Sequence, residues 1–322
     1  MAGTEGGETA YHHPPPPMEV IILGTSSAAP TMRRWLSGTA ILRDGEVLLF
    51  DCGEGTQFRF MKAELPRRKF GKIFITHLHG DHIFGLPGFI ATMNLGQRDI
   101  PLTVYGPKGI RRYLDFILSF PRPTRLGFEL NVEELPPTFE GVVCEENDYV
   151  VTAAPLDHTI PALGYRFQEK DLLGRFDGER ADALGVPFGP ERGALQRGES
   201  ITLHDGTVIQ PSDLVGPPRK GKSVAYITDT GFCVAAKRLA ADVDLIIHEA
   251  TYGDDELEMA LDRKHSTIRH AATIARSAGA KKFVATHFST RYEGSALAQL
   301  EAEGRQVFPD LIMAHDLIRI DV

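Results

Sequence analysis

The sequence predicts an α/β protein in which two β-sheets pack face to face with helices on their outer faces. Three features point there. Short apolar runs ended by glycine or a turn alternate with segments of helical length. Each half of the chain is strand-rich first and helix-containing second. The residues richest in chemistry stand where strands end. With 322 residues, 42% hydrophobic and 24% charged, the chain can bury a large core, which excludes disordered, collagen-like and disulfide-scaffold classes. The longest apolar runs, such as 20–23 and 245–247, are too short to span a bilayer.

Residues 1–17 carry Glu5, Glu8, His12, His13 and four prolines, with neither the basic nor the apolar region of a secretion signal. A disordered extension is expected there. The folded part, 18–322, opens with a buried strand over 18–24 that Gly24 ends. A hairpin around Asp44-Gly45 joins strands at 39–42 and 46–51. Residues 54–64 have helical spacing, with Phe58, Met61 and Leu65 on one face. A strand over 72–76, a helix over 82–95, a strand over 102–105 and a helix over 108–118 follow. Strands are expected near 128–135, 140–145, 148–154 and 163–168. Later strands at 223–228, 245–248, 282–286 and 311–314 alternate with helices at 234–241, 254–261, 267–278 and 295–303. Residues 169–221, rich in Gly, Pro and charge, form a long excursion, which is either a functional appendage or disordered. Cys52, Cys144 and Cys233 are odd in number and make no CxxC, as in a reduced, cytoplasmic protein.

The decisive stretch is Thr76-His77-Leu78-His79-Gly80-Asp81-His82, which follows a strand. Four potential metal ligands lie within six residues, and Gly80 gives the backbone freedom to wrap around a point. Imidazoles and a carboxylate without thiolates suit a catalytic zinc or manganese better than structural zinc. Four ligands cannot complete two sites. His158, Asp229 and His287 each follow an expected strand and are the candidates to join them.

These residues resemble those of the ribonuclease Z family, short form, within the metallo-β-lactamase fold. The matching stretches are Leu23 to Pro30, Phe50 to Gln57, Thr76 to Pro87 and His158-Thr159-Ile160. They continue with Asp229-Thr230-Gly231, His248 to Thr251, His265-Ser266-Thr267 and Thr286 to Tyr292. The resemblance runs in order from Met18 to the C-terminus. It implies an αββα sandwich of two mixed sheets with a protruding arm at about 169–221. It implies two Zn2+ per subunit, Mn2+ being possible. His77, His79 and His158 would hold one ion, Asp81, His82 and His287 the other, and Asp229 would bridge them. It further implies a cytoplasmic homodimer that removes the 3′ trailer from transfer RNA precursors by phosphodiester hydrolysis, leaving a 3′-hydroxyl.

Chemistry follows from the same set. Two cations about 3.5–4 Å apart can stabilise a phosphoryl transition state and its leaving oxygen. Asp81 is suited to orient the attacking water and accept its proton. His265 is the candidate general acid, with Glu249 orienting it through a carboxylate–imidazole hydrogen bond. Arg291 is placed to pair with phosphate, and Ser26-Ser27 to offer backbone donors to RNA ends. The net charge, 35 − 43 = −8, argues against a surface that wraps nucleic acid, so no DNA partner is expected, and no membrane. Two ions against two ligand carboxylates would still make the site cationic. Basic clusters at Arg33-Arg34, Arg67-Arg68-Lys69, Arg111-Arg112 and Arg219-Lys220 could track an RNA backbone. The arm is balanced, with 8 basic and 9 acidic residues between Glu169 and Lys222. The alternatives are a hydrolase of the same fold acting on a small phosphodiester, which needs no such arm, and a non-catalytic RNA-binding subunit.

Overall fold

The computed structural model describes residues 18–120 and 123–322; the extension expected over 1–17 lies outside them. Strands β1 (Glu19–Gly24), β2 (Gly38–Arg43) and β3 (Glu46–Phe50) form an antiparallel meander. Three parallel strands follow, β4 (Phe70–Phe74), β5 (Leu102–Pro107) and β6 (Leu130–Leu135). A second meander comprises β7 (Gly141–Glu145), β8 (Tyr149–Leu156) and β9 (Ala162–Glu169). Beyond a small hairpin, β10 (Ile201–Thr202) and β11 (Val208–Ile209), come β12 (Ser223–Ile227), β13 (Leu245–Glu249), β14 (Lys282–Thr286) and β15 (Ile312–Met313). These last four run parallel, with β12 antiparallel to β9. The C-terminal β16 (Arg319–Asp321) pairs with β1. The result is two mixed seven-stranded sheets, in the orders β16-β1-β2-β3-β4-β5-β6 and β15-β14-β13-β12-β9-β8-β7.

Alternation decides what each strand buries. Val20 and Ile22 point between the sheets, with Phe50, Phe74, Tyr165, Phe167, Tyr226 and Ile247. Ile21 and Leu23 point the other way, under α1 (Thr56–Lys62), α2 (Gly80–Ile83), α3 (Leu86–Leu95) and α4 (Ile110–Ser119). The second sheet buries Ala225, Ile246 and Phe283 beneath a later set of helices. These are α8 (Val234–Leu239), α9 (Leu257–Arg263), α10 (Ile268–Ser277) and α11 (Ser295–Arg305), which follow three helices of the excursion. The molecule is thus a helix–sheet–sheet–helix sandwich.

The excursion is folded. It holds α5 (Gly178–Ala183), α6 (Pro190–Gln196), the β10–β11 hairpin and α7 (Pro211–Leu214) around Ala181, Val186, Leu195, Ile209 and Leu214. At its root Leu172 and Arg219 exchange two backbone hydrogen bonds of 2.9 Å.

Three local expectations need correction. In α1 the buried residues are Thr56 and Phe60, and Leu65 just past its end is buried as expected, while Phe58 and Met61 face solvent. The helix expected over 82–95 is two helices, broken at Phe84-Gly85 ahead of Pro87. The edge strand β16 escapes the apolar pattern because Ile320 is its one buried residue.

Candidate metal centre

The site gathers at the C-terminal ends of parallel strands from both sheets. Past β4, Ile75 N donates to Tyr105 O (2.8 Å) in the first sheet, and Leu163 N of the second donates to Thr76 O (2.9 Å). Residues 75–77 therefore bridge the sheets and deliver His77 to their common end. A short turn of helix, α2, then carries Asp81 and His82 back toward it. Gly80 does not need left-handed backbone here; a Cβ would stand 2.3 Å from the exposed ring of Phe84, which a larger residue would have to push aside. Asp229 after β12 and His287 after β14 both adopt left-handed backbone, with φ of 41° and 59°. Such strain in non-glycine residues concentrates at functional sites.

All seven sequence-derived candidates converge. Around the first point, His77 Nε2 lies 3.0 Å and His158 Nε2 3.2 Å from His79 Nδ1. Asp229 Oδ2 is 3.5 Å from His77 Nε2 and 3.8 Å from His158 Nε2. Around the second, Asp81 Oδ2 is 3.5 Å from His82 Nε2 and 3.4 Å from His287 Nε2. Asp229 Oδ1 is 3.2 Å from each of the same two nitrogens. A tetrahedral ion with bonds of ~2.0–2.2 Å sets its ligand atoms about 3.3–3.6 Å apart. The separations, 3.0–3.8 Å in the first quartet and 3.2–3.5 Å in the second, bracket that edge length, and Asp229 gives one oxygen to each. His82 Nε2, His287 Nε2 and Asp229 Oδ1 are buried with no hydrogen-bond partner, an arrangement that is costly without a cation to satisfy it.

The far ring nitrogens of His77, His82 and His158 have partners. His82 Nδ1 donates to Asp51 Oδ2 (2.8 Å), and His158 Nδ1 to Lys264 O (3.0 Å). His77 Nδ1 lies 3.0 Å from Thr76 Oγ1. Orienting partners of this kind fix the tautomer of a ligating imidazole. Asp81 Oδ2 accepts Ala28 N (2.8 Å) from a left-handed residue. Burial opposes charge on His82, but Asp229, Asp51 and Asp81 hold its pKa well above the ordinary value. Burial, with His82 beside it, pushes His77 well below. Asp229 is also driven low, its burial outweighed by His287, His82 and His77.

His265 borders this cluster, with Nε2 3.9 Å from Asp229 Oδ2 and Nδ1 2.9 Å from Glu249 Oε1. Burial opposes its charge, yet Glu249 and Asp229 carry its pKa up to about 9, the range of an imidazole that holds a proton. Glu249 is fully buried and also accepts Thr230 N (2.8 Å) and Thr251 N (3.1 Å).

The RNA-facing candidates fare differently. Arg291 is half exposed and paired with Glu256 Oε1 at 2.5 Å. The amides of Ser26 and Ser27 already donate to Trp35 O (2.8 Å) and Phe288 O (3.0 Å), and the Ser26 hydroxyl to Ala29 O (2.6 Å). They are not free donors, because the loop uses them to pin itself. Arg34 is buried and donates to Ser289 O, so it belongs to no surface cluster. Asp51 was not singled out from the sequence; its signal was a carboxylate directly after an apolar strand, inside the stretch Phe50 to Gln57.

Comparison with known proteins gives two family-model matches. One is the Anti-Pycsar protein Apyc1 family over residues 18–117, the other the beta-lactamase superfamily domain over 214–288. Full-length relatives are closer. Ribonuclease Z of Synechococcus sp. (strain CC9311) is 45% identical over 307 residues, covering 93% of this chain and 97% of that protein. Ribonuclease Z of Geobacillus kaustophilus is 44% identical over 303 residues, with the same coverage. Among solved structures, human tRNase Z, short form, superposes with a TM-score of 0.69 at 29% identity, over 95% of this chain and 99% of that one. A metallo-beta-lactamase fold protein of Bacillus subtilis gives 0.67 at 17% identity over 95% and 100%, a likeness of fold. The sandwich is the metallo-β-lactamase fold.

Proposed function

The chain belongs to the ribonuclease Z family, and from that premise we propose how its own residues carry out the family's reaction. It is a hydrolase, an endoribonuclease of transfer RNA 3′ processing. The small-molecule and non-catalytic alternatives give way to relatives of that name matched along nearly the whole chain.

His77, His79 and His158 would hold one divalent ion, Asp81, His82 and His287 a second, and Asp229 would bridge them. Zinc is proposed for both, on the chemistry of an imidazole–carboxylate set without thiolate. Bound there, the ions would lower the pKa of the attacking water and stabilise charge on the phosphoryl group. The observation that carries this reading is Asp229, whose two oxygens each lie 3.2–3.8 Å from two imidazole nitrogens of a separate trio.

The protein's own groups manage the protons. Asp81, held by Ala28 N, orients the attacking water and takes its proton on the carboxylate. His265 gives its Nε2 proton to the leaving 3′-oxygen, while Glu249 steadies the imidazole at Nδ1. The 3′-hydroxyl of the transfer RNA and a 5′-phosphate on the trailer result.

The folded excursion is proposed as the arm that grips precursor transfer RNA, and its separate small core supports that role. A homodimer is proposed from the layer of α1, α3 and α4, which exposes Phe58, Met61, Leu95 and Phe116. A cytoplasmic setting agrees with three free cysteines; among the described residues no helix is long and apolar enough to cross a membrane. The test is metal reconstitution. Chelated protein should lose precursor cleavage and regain it at two equivalents of zinc per chain; cleavage that survives chelation contradicts the proposal.

A further inference from the structure

Thr251 lies two residues past Glu249 and is buried between three groups of the site. Its Oγ1 is 2.6 Å from Glu249 Oε2, 3.1 Å from His287 Nδ1 and 3.1 Å from His287 O. His265 Nδ1 is 3.3 Å away but closer to Glu249 Oε1, at 2.9 Å. A hydroxyl has one proton and two lone pairs. The short contact to a carboxylate takes the proton, since charge-assisted bonds are the stronger. The hydroxyl oxygen is then left to accept, and His287 Nδ1–H is the donor within reach. That fixes His287 with its proton on Nδ1 and leaves Nε2 bare. Nε2 is the buried nitrogen without a hydrogen-bond partner, facing Asp229 Oδ1 and Asp81 Oδ2.

We propose that Thr251 is a positioning residue: its hydroxyl fixes the tautomer and ring plane of His287 and, through Glu249, ties His287 to His265. This rests on the reading of His287 as a metal ligand. One carboxylate thus governs both groups, His265 directly through Oε1 and His287 through Oε2 and the threonine hydroxyl. The bond network has a second consequence. The residue cannot be replaced by an isostere, because valine would leave the His287 Nδ1–H buried and unpaired.

The test compares Thr251→Val with Thr251→Ser, reading zinc affinity by competition with a chromogenic chelator and steady-state cleavage of precursor transfer RNA. The valine variant should bind zinc 10–100-fold more weakly, the usual effect of losing an orienting partner. Its kcat should fall with KM little changed, while serine keeps both within about threefold of wild type. If the valine variant does not fold, Thr251→Ala against Thr251→Ser makes the same comparison. Wild-type affinity in the variant lacking the hydroxyl, or equal losses in serine and the hydroxyl-free variant, overturns the proposal. A wild-type protein that binds no zinc overturns the metal-centre reading and this proposal with it.

Discussion

The carboxylate of Asp51 lies 2.8 Å from Nδ1 of His82, on the side of the imidazole away from Asp81 and Asp229. The same carboxylate accepts Thr76 N (2.8 Å) and Tyr226 OH (3.1 Å), and all of these groups are buried. Asp51 therefore fixes a candidate ligand, the bridge between the sheets and a core tyrosine at once.

Asp51→Asn should be costly twice over. Losing the charged acceptor for several buried donors should destabilise the protein by about 1–3 kcal/mol. Zinc affinity should fall by about 10–100-fold, since His82 loses its orienting partner. Thermal unfolding and metal titration check the two effects separately, and an unchanged affinity would remove Asp51 from the site's support.

Asp81→Ala should keep the fold and lower cleavage by several orders of magnitude. It deletes a ligand and the proposed base together, and acid–base groups alone contribute ~10²–10⁴. Near-ultraviolet circular dichroism tests the fold and single-turnover kinetics the rate. More than about a tenth of wild-type activity contradicts the assignment.

His265→Ala should lower kcat by ~10²–10⁴ with KM little affected, because the imidazole acts on the leaving oxygen. Glu249→Gln can keep an acceptor for Nδ1, but its amide NH2 would then face the Thr251 hydroxyl and amide that donate to Oε2, so kcat should fall and zinc affinity with it. Equal KM effects in both variants would indicate a binding role instead.

How far the sequence reached differs by element. All seven proposed ligands were legible because each follows a strand, and strand ends of a layered fold converge. Asp51 and Thr251 were not, because nothing in sequence spacing reveals which ring nitrogen needs support. Phe58 and Met61 misled because an apolar pair at helical spacing carries no record of which side faces the sheet. The excursion looked weakly patterned because its helices have six, seven and four residues, too few for a periodic signal. Ser26 and Ser27 failed as donors for a similar reason: their partners, Trp35 and Phe288, are remote in sequence or unpatterned.

The arm can be removed cleanly. Excising residues 173–218 and joining Leu172 to Arg219 by Asn-Gly uses a pair already hydrogen-bonded like the last rung of a hairpin. Hydrolysis of a small phosphodiester should persist, since the seven proposed ligands lie outside the excursion. Precursor affinity should drop and its salt dependence flatten as phosphate contacts are lost. Unchanged RNA affinity across a salt series contradicts the arm's role, and collapse of both activities would make the excursion structural.

Burial pushes the Cys144 thiol up to about 11, against the pull of Lys72 and with Glu146 adding to the rise. Only the thiolate alkylates. Modification of Cys144 by iodoacetamide should be slow at pH 8 and accelerate steadily toward pH 11, read by peptide mass spectrometry. A rate that levels off below pH 9 contradicts this environment.

The central claim is most directly tested by incubating the zinc-loaded protein with a precursor transfer RNA labelled at each end and analysing the new termini. Hydrolysis by water that Asp81 deprotonates, with His265 protonating the departing oxygen, predicts a 3′-hydroxyl on the transfer RNA and a 5′-phosphate on a released trailer. No cleavage at the trailer boundary, or a 2′,3′-cyclic phosphate on the transfer RNA, would contradict it.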